Sequence, residues 1–119
     1  MSNRTRRVSE EIKEILASIL IDVKDPRIGF VTITEVRTAT DLRSSEVFYT
    51  ILPDDETTRD ATAAGLRSAT PMLRRELGRR LRMRYVPDLD FVRDTVPEHG
   101  RHIESLLSQA RSEQGTDDE

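Results

Sequence analysis

Six arginines and one carboxylate, Glu76, share the segment Met72 to Arg84 (M-L-R-R-E-L-G-R-R-L-R-M-R), in a chain of net charge −3. A guanidinium offers paired N–H donors that match the oxygens of a phosphate. Arginines gathered on one short segment of an acidic chain therefore point to a polyanion, and to nucleic acid first. Taken as a helix at about 100° per residue, the segment puts Leu73, Leu77 and Leu81 on one apolar stripe. Arg75, Arg79 and Arg82 fall opposite it, and Arg74 and Arg80 flank it. A merely solvated helix face mixes signs, with acid–base pairs four residues apart. Here only Glu76 opposes the arginines. The expected binding face comprises Arg74, Arg75, Arg79, Arg80, Arg82 and Arg84, with Arg67 one to two turns upstream.

Other residue constellations carry less chemistry. Arg27, in Asp25-Pro26-Arg27, is either a phosphate contact or part of a helix stop, and both readings stay open. Arg4, Arg6 and Arg7 read first as solvated charges near the N-terminus and second as an extension of the basic face. Glu98, His99 and His102 lack the third and fourth ligands that a zinc site needs, so no metal is expected. Asp88 and Asp90 alternate with Leu89 and Phe91, which makes them the outer face of a strand rather than a catalytic pair. No nucleophile elbow or phosphate loop surrounds any serine or threonine. The expectation is a protein with neither active site nor cofactor. Aromatics are few. Phe48 and Phe91 read as core, leaving Tyr85 as the one base-stacking candidate. Contact by shape and phosphate is favoured over readout by stacking.

The basic segment must be held by a small scaffold. At 119 residues the chain is one domain, expected over 1–110, with an acidic, disordered tail over 111–119. It has no cysteine, no apolar secretory leader and no apolar run long enough to span a membrane. A cytoplasmic monomer is expected. Charge is segregated along the chain. Asp41 to Asp60 is strongly acidic and Arg67 to Arg84 strongly basic. One pole should attract phosphate and the other repel it.

Val8, Ile12, Ile15, Leu16, Ile19, Leu20 and Val23 recur at helical spacing, and Asp25-Pro26 ends that helix. Ile28 to Val36 and Glu46 to Leu52 read as the strands of an antiparallel hairpin. Acids at Asp54 to Glu56 open a helix running to about Ala69. Thr70-Pro71 then reads as a fresh start, with Thr70 capping and Pro71 in the first turn of a basic helix that continues to about Arg84. Pro87 to Val92 is a short third strand, and Ile103, Leu106 and Leu107 mark a last short helix. The order is α-β-β-α-α-β, an α+β architecture with helices on one face of the sheet.

That order resembles a type II KH domain, which grips nucleic-acid backbone with a Gly-x-x-Gly loop between two helices. No such loop occurs at Ser68-Ala69-Thr70-Pro71. Four stretches resemble the ribosome-binding factor A family of bacterial small-subunit assembly factors. They are Lys24 to Gly29, Asp41-Leu42 before E-V-F-Y-T, Leu73 to Phe91 followed by Asp94, and Gly100 to Ile103 before Leu106-Leu107. The resemblance implies a KH-like fold with a kink at Ala69-Thr70-Pro71 in place of the loop. This chain has Pro71 where the family more often has glycine. It also implies a non-catalytic protein that binds the immature 30S subunit and 16S rRNA and assists late 16S maturation. From the residues alone, a general KH-like nucleic-acid module and a protein–protein adaptor remain alternatives.

Overall fold

The computed structural model describes residues 3–95. The first helix, α1 (Asn3–Ile21), buries Val8, Ile12, Leu16 and Ile19 along one stripe. It stops four residues before Asp25-Pro26, where Asp22 and Val23 turn back onto the carbonyls of Ile19 and Leu20. The hairpin then forms from β1 (Phe30–Thr38) and β2 (Ser44–Leu52), paired antiparallel from Phe30↔Leu52 to Thr38↔Ser45. The register slips between Ile33 and Glu35, leaving Thr34 as the extra residue of a bulge. A strict alternation would turn Val36 outward. The bulge resets the phase, so Ile33, Val36 and Thr38 are all buried. Lys13 of α1 donates to the Thr34 carbonyl at 3.2 Å, answering a backbone group near the bulge.

Strand β3 (Asp88–Arg93) lies parallel to β2, with Val47 opposite Phe91 and Tyr49 opposite Arg93, so β2 is central in the order β1-β2-β3. Asp88 and Asp90 are exposed while Leu89 and Phe91 turn toward the core, as the alternation predicts. Phe48 is a correction. It is half-buried on the sheet face away from the helices, with the Arg37 guanidinium 5.3 Å from its ring centre. The inward positions of β2 are its neighbours Val47 and Tyr49.

Between β2 and β3 the chain forms one helix, α2 (Glu56–Arg80), not two. Its cap is Asp55, whose carboxylate accepts from the Thr58 N–H at 2.7 Å. Pro71 lies inside the helix, and Thr70 is an interior residue whose hydroxyl donates to the Leu66 carbonyl at 2.7 Å. The expected fresh helix start at Thr70-Pro71, with a capping Thr70 and Pro71 at the first helical position, is therefore overturned. Pro71 brings no N–H to the Arg67 carbonyl, and its ring crowds that oxygen. Burial on either side offsets the cost. Leu66 precedes Pro71 and Leu73 and Leu77 follow it, and all three are almost wholly enclosed. Full burial of each contributes about 1.5–3 kcal/mol.

The helix also ends earlier than expected. Leu81 turns to extended backbone while its N–H still reaches the Leu77 carbonyl, which keeps its side chain in the core at 3% exposure. Arg82 and Arg84 thus follow the helix rather than belong to it. The fold is α+β and KH-like, in the order α-β-β-α-β over the described residues. The expected C-terminal helix, the His99/His102 pair and the tail lie outside them.

Candidate nucleic-acid interface

Strand direction decides which residues share an end of the molecule. Near the start of α1 the Ser9 hydroxyl donates to the Thr38 hydroxyl at 2.8 Å, and Thr38 in turn meets Ser45 at 3.0 Å. Asp88 N–H donates to the Arg43 carbonyl at 2.9 Å, so the start of β3 adjoins the turn between β1 and β2. Helix α2 leaves the far end of β2 and returns, delivering its last turns to the same place. One end of the molecule thus gathers the first turn of α1, the 39–43 turn, the C-terminal half of α2 and residues 81–88.

The arginines of α2 are not equivalent there. Arg74 is committed internally. It donates to the Val86 carbonyl at 2.8 Å and the Pro87 carbonyl at 3.1 Å, and lies 3.4 Å from Asp88. Arg79 pairs with Glu76 at 2.9 Å, and Arg80 approaches the same carboxylate at 3.9 Å. Arg75 is exposed and has no ion pair or hydrogen bond from its side chain among the described residues, and the same holds for Arg67 and Arg82. Arg84 lies 6.0 Å from the ring centre of Tyr85, which is 68% exposed. Arg75 and Arg79 do share the face opposite Leu73 and Leu77. Arg82 reaches the same end from the loop, and the helical phase assigned to it no longer applies.

Arg27 does not join this group. It sits near the opposite end, close to α2 at Gly65. A β-carbon on Gly65 would come within 2.7 Å of Ile28 and 3.1 Å of the Arg27 β-carbon. Arg27 is spent on Asp25 through two contacts of 3.1 and 2.8 Å. Its guanidinium, then its backbone N–H, hold the Asp25 carboxyl below the usual carboxylate range.

Sequence reasoning gives no role to Arg43, and only a secondary one to Arg4, Arg6 and Arg7. Nothing local to these residues signals a shared end; the pairing of β1 with β2 does. The rest of the molecule treats its arginines differently. Arg27 pairs with Asp25, Arg37 with Glu35, and both Arg59 and Arg93 with Asp54. Among the described residues, the guanidiniums without a carboxylate partner other than Arg67 lie at the end where α2 finishes, where Arg74, Arg79 and Arg80 are paired with Asp88 and Glu76. Asp88 and Asp94 do not converge on a common site either: Asp88 faces Arg74, and Asp94 bonds to the Thr34 hydroxyl.

A three-stranded sheet with helices on one face, lacking the Gly-x-x-Gly loop and carrying unpaired arginines at one end, is a KH-like domain without the usual phosphate-gripping turn. The chain matches ribosome-binding factor A over residues 4–107 and belongs to that family. It is 44% identical over 119 residues to ribosome-binding factor A of Geobacter sulfurreducens, covering 99% of this chain and all of that one. Among solved structures it resembles the solution structure of a Thermotoga maritima protein described as a putative ribosome binding factor A. The TM-score is 0.71 at 25% identity, over 81% of this chain and 92% of that one. It also resembles the Thermus thermophilus ribosome binding factor A coordinates fitted into a map of a 30S complex of that protein. There the TM-score is 0.62 at 27% identity, over 74% of this chain and 92% of the other. Among the described residues no helix is long and apolar enough to cross a membrane.

Proposed function

We propose that this protein is a non-catalytic assembly factor of the bacterial cytoplasm. It binds the immature 30S subunit through 16S rRNA, assists late maturation of that RNA, and leaves before the particle translates. The observation that carries the reading is the cluster of carboxylate-free arginines at the α2 end, in a chain of the ribosome-binding factor A family. Arg75 and Arg82, whose side chains have no internal partner among the described residues, are the primary phosphate contacts, with Arg84 beside them. Arg79 and Arg80 share Glu76 on the last turns of α2, and Arg67 is set further back along the helix toward Gly65. Arg74 acts mainly by fixing the loop that carries Arg82 and Arg84. Arg27 is left out of the site.

Sedimentation of cell extract tests the reading. The protein should travel with free small subunits and their precursors and be scarce on translating ribosomes. Arg75→Glu combined with Arg79→Glu should remove it from the subunit fraction. Its stability should fall by no more than about 1–2 kcal/mol, because Arg79→Glu gives up the pair with Glu76 and a favourable place at the helix end while the core is untouched. Retention of the double variant on subunits, or a parent protein that stays at the top of the gradient, would refute the reading.

A further inference from the structure

We infer that Arg4, Arg6 and Arg7, together with Arg43, form a second set of phosphate contacts beside the α2 arginines, so that both helices and the β1–β2 turn build the RNA-facing surface. The inference rests on the proposed function and extends its site to residues from the other half of the chain.

Placement is the first argument. The Ser9–Thr38–Ser45 hydroxyl chain ties the start of α1 to the end of the hairpin, and Arg43 lies in the turn that this end closes. Lack of internal use is the second. Arg4, Arg7 and Arg43 are exposed, and their side chains have no partner among the described residues; Arg6 donates only to Asn3. Glu10 and Glu11 stand four residues after Arg6 and Arg7, yet neither forms an ion pair with them.

The third argument separates the two helices. Helix α2 distributes charge as its own dipole favours, with Glu56 in its first turn and Arg79 and Arg80 in its last. Helical stability alone would account for those two arginines. Helix α1 does the reverse, having no acid in its first turn while Arg4, Arg6 and Arg7 crowd its positive end. That arrangement weakens the isolated helix. A polyanion lying against it removes the penalty, whereas folding alone gives no reason for it.

The test uses the full chain with Arg4, Arg6, Arg7 and Arg43 changed together to Gln, and Arg75→Gln/Arg79→Gln as the comparison. Binding is measured on purified 30S subunits and on protein-free 16S rRNA over a range of salt. The fourfold variant should bind at least about tenfold more weakly. Its plot of log K against log salt should flatten by roughly 0.7–0.9 for each phosphate that the variant no longer neutralises. Its melting temperature should equal or exceed that of the parent. Unchanged affinity and slope, with binding abolished only in the α2 variant, would confine the surface to α2 and overturn this inference while leaving the proposed function standing. Full binding by both variants would overturn both. Weaker binding to 30S subunits but not to protein-free 16S rRNA would assign these arginines to a protein partner, and a lowered melting temperature would make them structural.

Discussion

The guanidinium of Arg74 donates to the carbonyl oxygen of Val86 across 2.8 Å, tying the middle of α2 to the segment that leads into β3. A second bond to Pro87 makes the contact two-pronged. Arg74→Ala should lower stability by about 1–2 kcal/mol, since it removes hydrogen bonds to a charged donor at a partly exposed position. Arg74→Lys keeps the charge but not the fork, and should recover only part of the loss. Urea unfolding of the two variants measures this. If both match the parent, Arg74 is free to serve RNA as its neighbours do.

Leu77 has no exposed surface and shares its cluster with Ile12, Leu16 and Leu73. Leu77→Ala should cost roughly 2–5 kcal/mol, depending on how far the site collapses. A calorimetric melt reads this out. An unchanged midpoint would mean that the leucine stripe, and with it the outward phase of Arg75 and Arg79, is misassigned.

Pro71 inside α2 makes a prediction opposite to that of a proline at a helix start. Pro71→Ala restores an N–H to the Arg67 carbonyl and removes the ring's crowding of it. Alanine is favoured over proline in a helix interior by about 3 kcal/mol, and the freer unfolded chain returns up to about 1 kcal/mol of that. A gain of roughly 1–2 kcal/mol is expected, with 30S affinity within a few-fold of the parent. A loss of stability would place Pro71 at a break between two helices after all.

The cap of α2 is expected to titrate. The Thr58 side chain and then its backbone N–H hold the Asp55 carboxyl below the ordinary carboxylate range. A depressed pKa contributes stability that is present above the unfolded value, near 3.9. That stability is lost as pH falls through the folded value. Asp25, lowered by Arg27, acts in the same direction. Unfolding midpoints from pH 2 to 7 should decline most below about pH 4. Asp55→Asn should flatten part of that decline, because it keeps an acceptor for the helix and loses the titration. Equal slopes for variant and parent would show that Asp55 does not contribute through its charge.

Hydrophobic periodicity is enough to identify α1, the hairpin, β3 and the leucine stripe, because each places its apolar residues at one period. Misreadings arise where tertiary burial overrides a local signal. Thr70-Pro71 has the composition of a helix start, yet Leu66 and Leu73 are enclosed on both sides of it, and packing both continues the helix through the proline. Arg82 and Met83 favour helix, yet keeping Leu81 in the core turns the chain extended at that residue. Phe48 has the size and hydrophobicity of a core residue, but its place between Val47 and Tyr49 sends it outward. Arg43 and the α1 arginines carry no local mark of their role, since their proximity to α2 arises only from long-range pairing.

The parallel course of β3 separates the two ends of the described chain. Asn3 lies among the arginines, whereas Thr95 emerges beside the Leu52 end of the sheet, on the far side of the molecule. On the proposed function, a fluorophore or affinity handle attached at Asn3 stands in the approach of an RNA backbone, and one attached at Thr95 stands on the opposite side. Recovery of ribosomal particles through a handle attached at Asn3 should therefore fall below recovery through one attached at Thr95, and the orientation of an immobilised protein on a sensor surface will set its apparent affinity.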